Sequence, residues 1–238
     1  KNNKIFVAGH KGMVGSSIFR KLKKCGYKNI IVADKRKLDL LNQKKVYTYL
    51  KKNKPNLVII AAAKVGGILA NSKLKEKFLF ENLQIQNNLI HGSYLAKVKN
   101  LIFLGSSCIY PRNSKQPMKE KYIMSGKLEE TNDAYAIAKI AGIKMCEAYN
   151  KQYRLNYLCL MPTNLYGPND NFDLENAHVL PTMIRKFYEA KKNNHSTVFL
   201  WGTGSPMRDF LHVDDLATAI LFFVENNSQK YDMDYRLC

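Results

Sequence analysis

The first turn of the chain decides its fold, and its sequence is Ile5-Phe6-Val7-Ala8-Gly9-His10-Lys11-Gly12-Met13-Val14-Gly15. Four apolar residues precede three glycines spaced three apart, and a helical pattern then runs to Lys24. A strand, a glycine turn and a helix in this order predict a dinucleotide site, because backbone N–H groups and the positive end of the helix dipole favour a pyrophosphate. The spacing is GxxGxxG and not GxGxxG, so an ordinary strand-to-helix turn remains the alternative interpretation.

The rest of the chain alternates between apolar strands and helical patterns. We predict strands over 29–33, 57–62, 101–104 and 156–160, and helices over 43–52, 76–97 and from Asp133 onward. Repeated strand–helix units predict an α/β fold, a Rossmann-type doubly wound parallel sheet with helices on both faces. Ligands of such sheets bind beyond the carboxyl ends of the strands. Three segments fall there, namely a flexible turn over 64–68, Leu104-Gly105-Ser106-Ser107-Cys108 and Pro162-Thr163-Asn164-Leu165.

The residues after the second predicted strand carry conflicting signals about the cofactor. Asp34 stands about 20 residues beyond the glycine turn, where an acid binds a ribose 2′-hydroxyl and favours NAD. Lys11, Lys35 and Arg36 would instead attract a 2′-phosphate and favour NADP. Surface charge exposed to solvent is the alternative interpretation of these three residues in so basic a chain.

A tyrosine and a lysine four residues apart are the first candidates for catalysis. Tyr135 and Lys139 lie in an apolar helical pattern, where this spacing places both side chains on one face. A nearby ammonium favours the phenolate, so we expect the pKa of Tyr135 to fall from its ordinary value of about 10. Such a phenol can give a proton to a carbonyl oxygen. A partly exposed helix face is the alternative.

Composition limits the classes of partner and compartment. The 238 residues are 46% hydrophobic, and no run approaches the length of a membrane span. The five cysteines are scattered without a CxxC, which favours a reducing cytoplasm and argues against a metal site. The net charge is +19, but the lysines are dispersed among asparagines without an arginine-rich block. A genome-level Lys/Asn bias or an anionic small substrate explains this charge at least as well as nucleic acid does. We therefore expect a cytoplasmic protein with no nucleic-acid partner and no membrane partner.

Extended blocks of the sequence resemble a known family. The glycine turn, Gly105-Ser106-Ser107 and the Tyr135/Lys139 pair together resemble the extended short-chain dehydrogenase/reductases. Within these, the resemblance is to the GDP-L-fucose synthases, and it runs almost unbroken from Ile5 to about Val224. Six blocks carry it in order, over residues 8–15, 61–68, 104–111, 135–142, 161–168 and 210–215.

The resemblance implies a reaction and a role for each matching residue. The family epimerises C3 and C5 of GDP-4-keto-6-deoxy-D-mannose and then reduces C4 with NADPH. Tyr135 would protonate the 4-keto oxygen, Ser106 would bind that oxygen or the Tyr135 hydroxyl, and Lys139 would bind the nicotinamide ribose. The resemblance also implies the residues that contact NADP, which are Gly9, His10, Lys11, Gly12, Met13, Val14, Gly15, Lys35, Arg36, Leu104, Gly105, Ser106, Ser107, Tyr135, Lys139, Pro162, Thr163, Asn164, Leu165 and His178.

Epimerisation needs a second acid/base pair, and the resemblance assigns it to Cys108 and His178. A thiol or an imidazole can move the acidic protons next to a ketone. From the residues alone, Cys108 would be a packing residue, Ser106 a strand-end cap and His178 a surface helix start.

The same resemblance implies the substrate contacts and the assembly. Lys186, Trp201 and Arg208 would bind the GDP-sugar, although Trp201 suits a core equally well and the family usually has Arg at 11 and 186. The family pairs helices 76–97 and 133–153 of two copies into a homodimer. We expect the NADP-binding domain to span 1–165 and 207–226, and part of the substrate domain to span 166–206. The resemblance fades after about 226, where we expect the family's C-terminal remainder to be absent. An impaired nucleotide-binding remnant, or a related enzyme that acts on another 4-keto sugar nucleotide, is therefore the alternative to the dual epimerase/reductase.

Overall fold

The computed structural model describes residues 1–226, and the predicted loss of the family's C-terminal remainder lies outside them. A five-stranded, fully parallel sheet forms its centre, in the order β2-β1-β3-β4-β5. The order changes direction between β1 and β3, which opens a crevice at their carboxyl ends. The strands are β1 (Ile5–Ala8), β2 (Ile30–Ile31), β3 (Leu57–Ile60), β4 (Asn100–Leu104) and β5 (Asn156–Leu160).

Helices cover both faces of this sheet, and a small second sheet lies at its end. The second sheet pairs β6 (Asn164–Tyr166) with β7 (Phe210–His212) in parallel. In residues 1–226 no helix is long and apolar enough to cross a membrane. The helices are α1 (Met13–Lys24), α2 (Gln43–Asn53), α3 (Ile68–Lys73), α4 (Lys75–Leu95), α5 (Asp133–Tyr153), α6 (Val179–Lys192) and α7 (Val213–Glu225).

Alternation along the strands sends side chains into two separate cores. Phe6 and Val58 pack with α2, α4 and α5, whereas Ile5 and Ile59 pack with α1 and α7. All four side chains are at most 1% exposed, as expected for strands covered on both faces. The Rossmann-type fold predicted from the strand–helix alternation is therefore confirmed.

Two local predictions were wrong. The second strand pairs only at Ile30 and Ile31, because the Asp34 carboxylate accepts a hydrogen bond from the Lys37 N–H and begins a turn. The turn over 64–68 was expected to be flexible, but Asn82 binds both backbone polar groups of Lys64 through its side-chain amide. A short helix, α3, follows this turn directly.

Candidate active site

The glycine turn brings β1 and α1 together so closely that two of its glycines admit no side chain. Gly9 has a φ of +87°, and a Cβ there would lie 2.7 Å from the Ala62 backbone nitrogen. A Cβ at Gly15 would overlap the Gly9 carbonyl oxygen. A Cβ at Gly12, by contrast, would meet only the Gly9 carbonyl oxygen, at an ordinary contact distance of 3.5 Å, at the N-terminus of α1. The turn thus offers a bare backbone and a helix dipole to an anion, as the spacing predicts.

A cavity of about 270 Å³ opens beside this turn and reaches the end of β2. Its lining includes Gly9 to Gly12, Asp34 and Lys35, which are residues that bear on the cofactor in the sequence analysis. The Lys11 ammonium lies 3.5 Å from the Asp34 carboxylate. The hydrogen bond from the Lys37 N–H, with the Lys11 charge, lowers the pKa of Asp34. Arg36 is exposed next to this pocket.

The predicted catalytic residues Ser106, Tyr135 and Lys139 meet at the carboxyl end of β4. The Ser106 side chain lies near enough to the Tyr135 hydroxyl to lower its pKa. The Lys139 ammonium donates to the Leu104 carbonyl oxygen at 2.8 Å and lies 5.7 Å from the centroid of the Tyr135 ring. The structure therefore brings together three residues that stand up to 33 positions apart in the sequence.

The expected effect of Lys139 on Tyr135 is wrong for this structure. Burial raises the pKa of Tyr135, the nearby Cys108 raises it further, and the Ser106 side chain opposes them. Lys139 is only 4% exposed, and burial lowers its own pKa to about 8. Desolvation is the largest cause of both shifts because burial disfavours the charged form of each group, and Lys139 is not among the causes of the shift at Tyr135.

Cys108 belongs to the same cluster. It lies in a single 3₁₀ turn, Ser107–Ile109, and its N–H donates to the Ser106 hydroxyl at 3.5 Å, so Ser106 also caps this turn. Burial raises the pKa of the Cys108 thiol, while Ser106 and the Lys139 charge lower it. The thiol is therefore partly buried and lies among the polar groups that the sequence predicts to be catalytic.

His178 is the N-cap residue of α6, at the end of a loop that begins after Gly167. His178 is exposed as a residue, but desolvation of its ring by the surrounding protein lowers its pKa, and the Asp170 charge opposes this shift. Burial in turn raises the pKa of Asp170, and the His178 charge opposes it. Asp170 was not predicted from the sequence, because no spacing rule connects it to a histidine eight residues away in an irregular loop.

The remaining predicted residues lie around the second sheet and α6. Lys186 lies 5.3 Å from the centroid of the Trp201 ring and donates to the Phe199 carbonyl oxygen at 3.0 Å. Trp201 is 77% exposed, so the alternative of a core residue is wrong. Arg208 donates to the Met207 carbonyl oxygen on the same exposed stretch.

The segment after β5 is held by contacts with two other strand ends. The Pro162 carbonyl oxygen accepts a hydrogen bond from the Ser107 N–H at 3.2 Å. Thr163 and Asn164 both donate through their side chains to the Asp209 carbonyl oxygen. These two side chains therefore connect the start of β6 to Asp209, the residue that precedes β7.

Comparisons with known proteins show the family to which the chain is similar and its fold. Residues 5–237 match the model of the NAD dependent epimerase/dehydratase family. The chain is 54% identical over 228 residues to GDP-L-fucose synthase 1 of Arabidopsis thaliana, covering 96% of this chain and 71% of that protein. It is 49% identical to GDP-L-fucose synthase of Escherichia coli (strain K12), covering 93% and 69%. A GDP-L-fucose synthetase from Naegleria fowleri bound to NADP superposes with a TM-score of 0.84 at 31% identity, covering 92% and 72%.

Proposed function

Because the chain belongs to the NAD dependent epimerase/dehydratase family, we propose that it catalyses the GDP-L-fucose synthase reaction. In this reaction GDP-4-keto-6-deoxy-D-mannose is inverted at C3 and C5 and then reduced at C4. The observation that carries the proposal is the joint placement of Ser106, Tyr135, Lys139 and Cys108 at one strand end. The identity of 49–54% to GDP-L-fucose synthases supports the choice of substrate.

The residues of the glycine turn fit NADP. The bare backbone at Gly12 and the N-terminus of α1 suit a pyrophosphate, and the cavity beside them suits an adenosine. Asp34 opposes a 2′-phosphate, but its charge is already paired with Lys11 and the Lys37 N–H. Lys35 and Arg36 are exposed and free to reach that phosphate. We therefore propose NADPH as the preferred cofactor.

When it is bound, NADPH supplies the hydride for C4. Tyr135 gives its proton to the 4-keto oxygen, and its raised pKa keeps the phenol protonated until the oxygen becomes basic. Ser106, whose side chain lies near the Tyr135 hydroxyl, is placed to donate a hydrogen bond to the same oxygen. Lys139 stabilises the anion that forms on Tyr135 because its ammonium lies near the ring.

Cys108 and His178 supply the proton donor and acceptor for the inversions. In this structure the pKa of the thiol is raised and that of the imidazole is lowered, so both groups are neutral near pH 7. A neutral thiol can give a proton and a neutral imidazole can accept one. The pair therefore starts with one acid and one base.

Substrate binding and assembly complete the proposal. Residues 166–206 would cover the GDP-sugar, with the cations of Lys186 and Arg208 near its diphosphate and Trp201 near its base or sugar. Residues 207–226 return to the NADP-binding domain of 1–165, and the packing of α7 in the same core as α1 supports this division.

A homodimer would form through α4 and α5. The two helices pack side by side and present aromatic side chains, including Tyr94 and Tyr153 with ring centroids 4.3 Å apart. Phe80 on α4 and Ile137 on α5 are about half exposed, at 56% and 49%. These apolar groups favour a second copy of the chain over water.

The experiment that tests the function offers GDP-4-keto-6-deoxymannose and NADPH to the purified chain. Loss of NADPH absorbance together with GDP-L-fucose as product would support it. Tyr135→Phe should slow reduction by about 10²–10⁴-fold, because one proton donor is lost, while NADPH binding measured by fluorescence stays nearly unchanged. A near-normal rate of NADPH oxidation by that variant would refute the role of Tyr135.

A further inference from the structure

The turn after β3 touches the backbone of the segment that carries His178. The Gly67 N–H donates to the Asn176 carbonyl oxygen at 2.8 Å. A Cβ at Gly67 would overlap the Ala177 carbonyl oxygen and lie 3.1 Å from its carbonyl carbon. The φ of Gly67 is −66° and its ψ is 178°, which alanine adopts freely. Glycine is therefore required here only because another backbone lies against it.

The turn that carries Gly67 is itself held in place by two buried amides. The side-chain oxygen of Asn82 on α4 accepts a hydrogen bond from the Lys64 N–H at 2.9 Å. The side-chain nitrogen of Asn82 donates a hydrogen bond to the Lys64 carbonyl oxygen at 3.0 Å. Asn71 of α3 donates to the Gly66 and Gly67 carbonyl oxygens. The side chains belong to residues only 2% and 7% exposed, so these bonds are sheltered from water. The turn thus acts as a fixed support.

The segment that rests on this support is also compact. The Asp173 carboxylate accepts hydrogen bonds from the backbone and side-chain N–H groups of Asn176, at 2.8 and 2.9 Å. The Ala177 N–H donates to the Asp173 carbonyl oxygen at 3.0 Å. A displacement of Asn176 or Ala177 must therefore move the next residue, His178, as well.

The support lies beside the catalytic cluster. A Cβ at Gly66 would lie 3.1 Å from the tip of the Phe78 ring. The Phe78 ring meets the Tyr135 ring edge to face, with centroids 6.3 Å apart. The Phe78 side chain therefore lies between the turn that contains Gly66 and Gly67 and Tyr135, the proposed proton donor for reduction.

We propose that Gly67 is a positioning residue for His178, because its N–H group and its lack of a side chain fix the backbone that presents the imidazole to the sugar. This inference rests on the proposed function, which assigns proton transfer to His178. It adds a residue that touches neither the cofactor cavity nor the reacting atoms.

The first test follows the imidazole itself and needs no turnover. Gly67→Ala is compared with Gly66→Ala, a matched control in which the added methyl meets the side chains of Ala70 and Phe78 at 3.1 Å and makes only an ordinary 3.4 Å contact with the Asn176 carbonyl oxygen. The five histidines are titrated by NMR on protein labelled with ¹⁵N. In Gly67→Ala we expect the pKa of His178 alone to move toward the ordinary value of about 6.5, because the displaced ring is better solvated. An unchanged His178 titration in a folded Gly67→Ala protein would overturn the proposal.

The second test measures solvent-deuterium exchange at C3 and C5 of the 4-keto sugar. We expect exchange to fall about 100-fold in Gly67→Ala and much less in Gly66→Ala, because a misplacement of about 1 Å is sufficient for such a loss. NADPH affinity should stay unchanged in both variants. Equal losses of exchange in the two variants would contradict the proposal.

Two further results separate the possible failures. If Gly67→Ala does not fold, Asp173→Ala replaces it, since this exposed carboxylate can be removed without disturbing the core. We then expect about a tenfold loss of exchange with unchanged NADPH affinity, and full exchange would overturn the proposal. If the wild-type chain shows no exchange at all, the proposed function fails, whereas the titration still decides whether Gly67 positions the ring.

Discussion

The buried Lys139 should make the stability of the protein depend on pH in a defined way. Burial lowers its pKa from 10.5 to about 8, so between these values the unfolded chain binds more protons than the folded one. Stability therefore rises with pH across this window. At pH 7 the buried charge costs about 3 kcal/mol, and near pH 9.5 the cost falls to about 1.5 kcal/mol.

Lys139→Met removes this cost. It also leaves the Leu104 carbonyl oxygen without its donor, a loss of about 1–3 kcal/mol that does not depend on pH. The quantity that decides the question is the difference in unfolding free energy between Lys139→Met and the wild type. From pH 7 to about 9.5 this difference should change by about 2 kcal/mol in favour of the wild type.

Urea denaturation at several pH values measures the difference, and Lys144→Met serves as the control. Lys144 lies on the same helix but is exposed, and it pairs with Glu147 at 2.9 Å. Its replacement should shift stability by at most about 1 kcal/mol, with little change over the same pH range. A Lys139→Met difference that stays constant with pH would refute the reasoning that Lys139 is charged and buried at pH 7.

Three other predictions concern the proposed reaction and assembly. Cys108→Ser should lose most solvent-deuterium exchange at C3 and C5 while still oxidising NADPH slowly, because serine is too weak an acid to replace the thiol; full exchange would leave Cys108 a packing residue. Lys11→Ala should weaken NADPH binding about fivefold in a fluorescence titration, equivalent to about 1 kcal/mol, and leave NADH unaffected; equal weakening of both would show no contact with the 2′-phosphate. Ile137→Glu should convert a dimer into single chains in sedimentation at micromolar concentration with little loss of stability, since Ile137 is 49% exposed; a dimer of unchanged strength would exclude this face.

Local patterns were sufficient for the fold. The four apolar residues of β1 and the three glycines after them predict the first strand–helix unit, which the structure confirms. The bounds of β5 were also predicted correctly, because continuous apolar runs between polar segments are typical of strands buried on both faces. The spacing of Tyr135 and Lys139 likewise depends only on helix geometry, and α5 contains both.

Long-range packing decided what those residues can do. The sign of the pKa shift at Tyr135 could not be predicted, because it depends on how much protein surrounds the phenol and not on the lysine four residues away. The contact of Gly67 with Ala177 joins positions 110 residues apart, and nothing in either segment indicates it. Sequence by itself determined the glycine turn, the strands β1, β3, β4 and β5 and the helices α1, α2, α4 and α5, since these follow from neighbouring residues. Only the tertiary structure decided burial, charge and the support of His178, since these depend on atoms that folding brings together from distant parts of the chain.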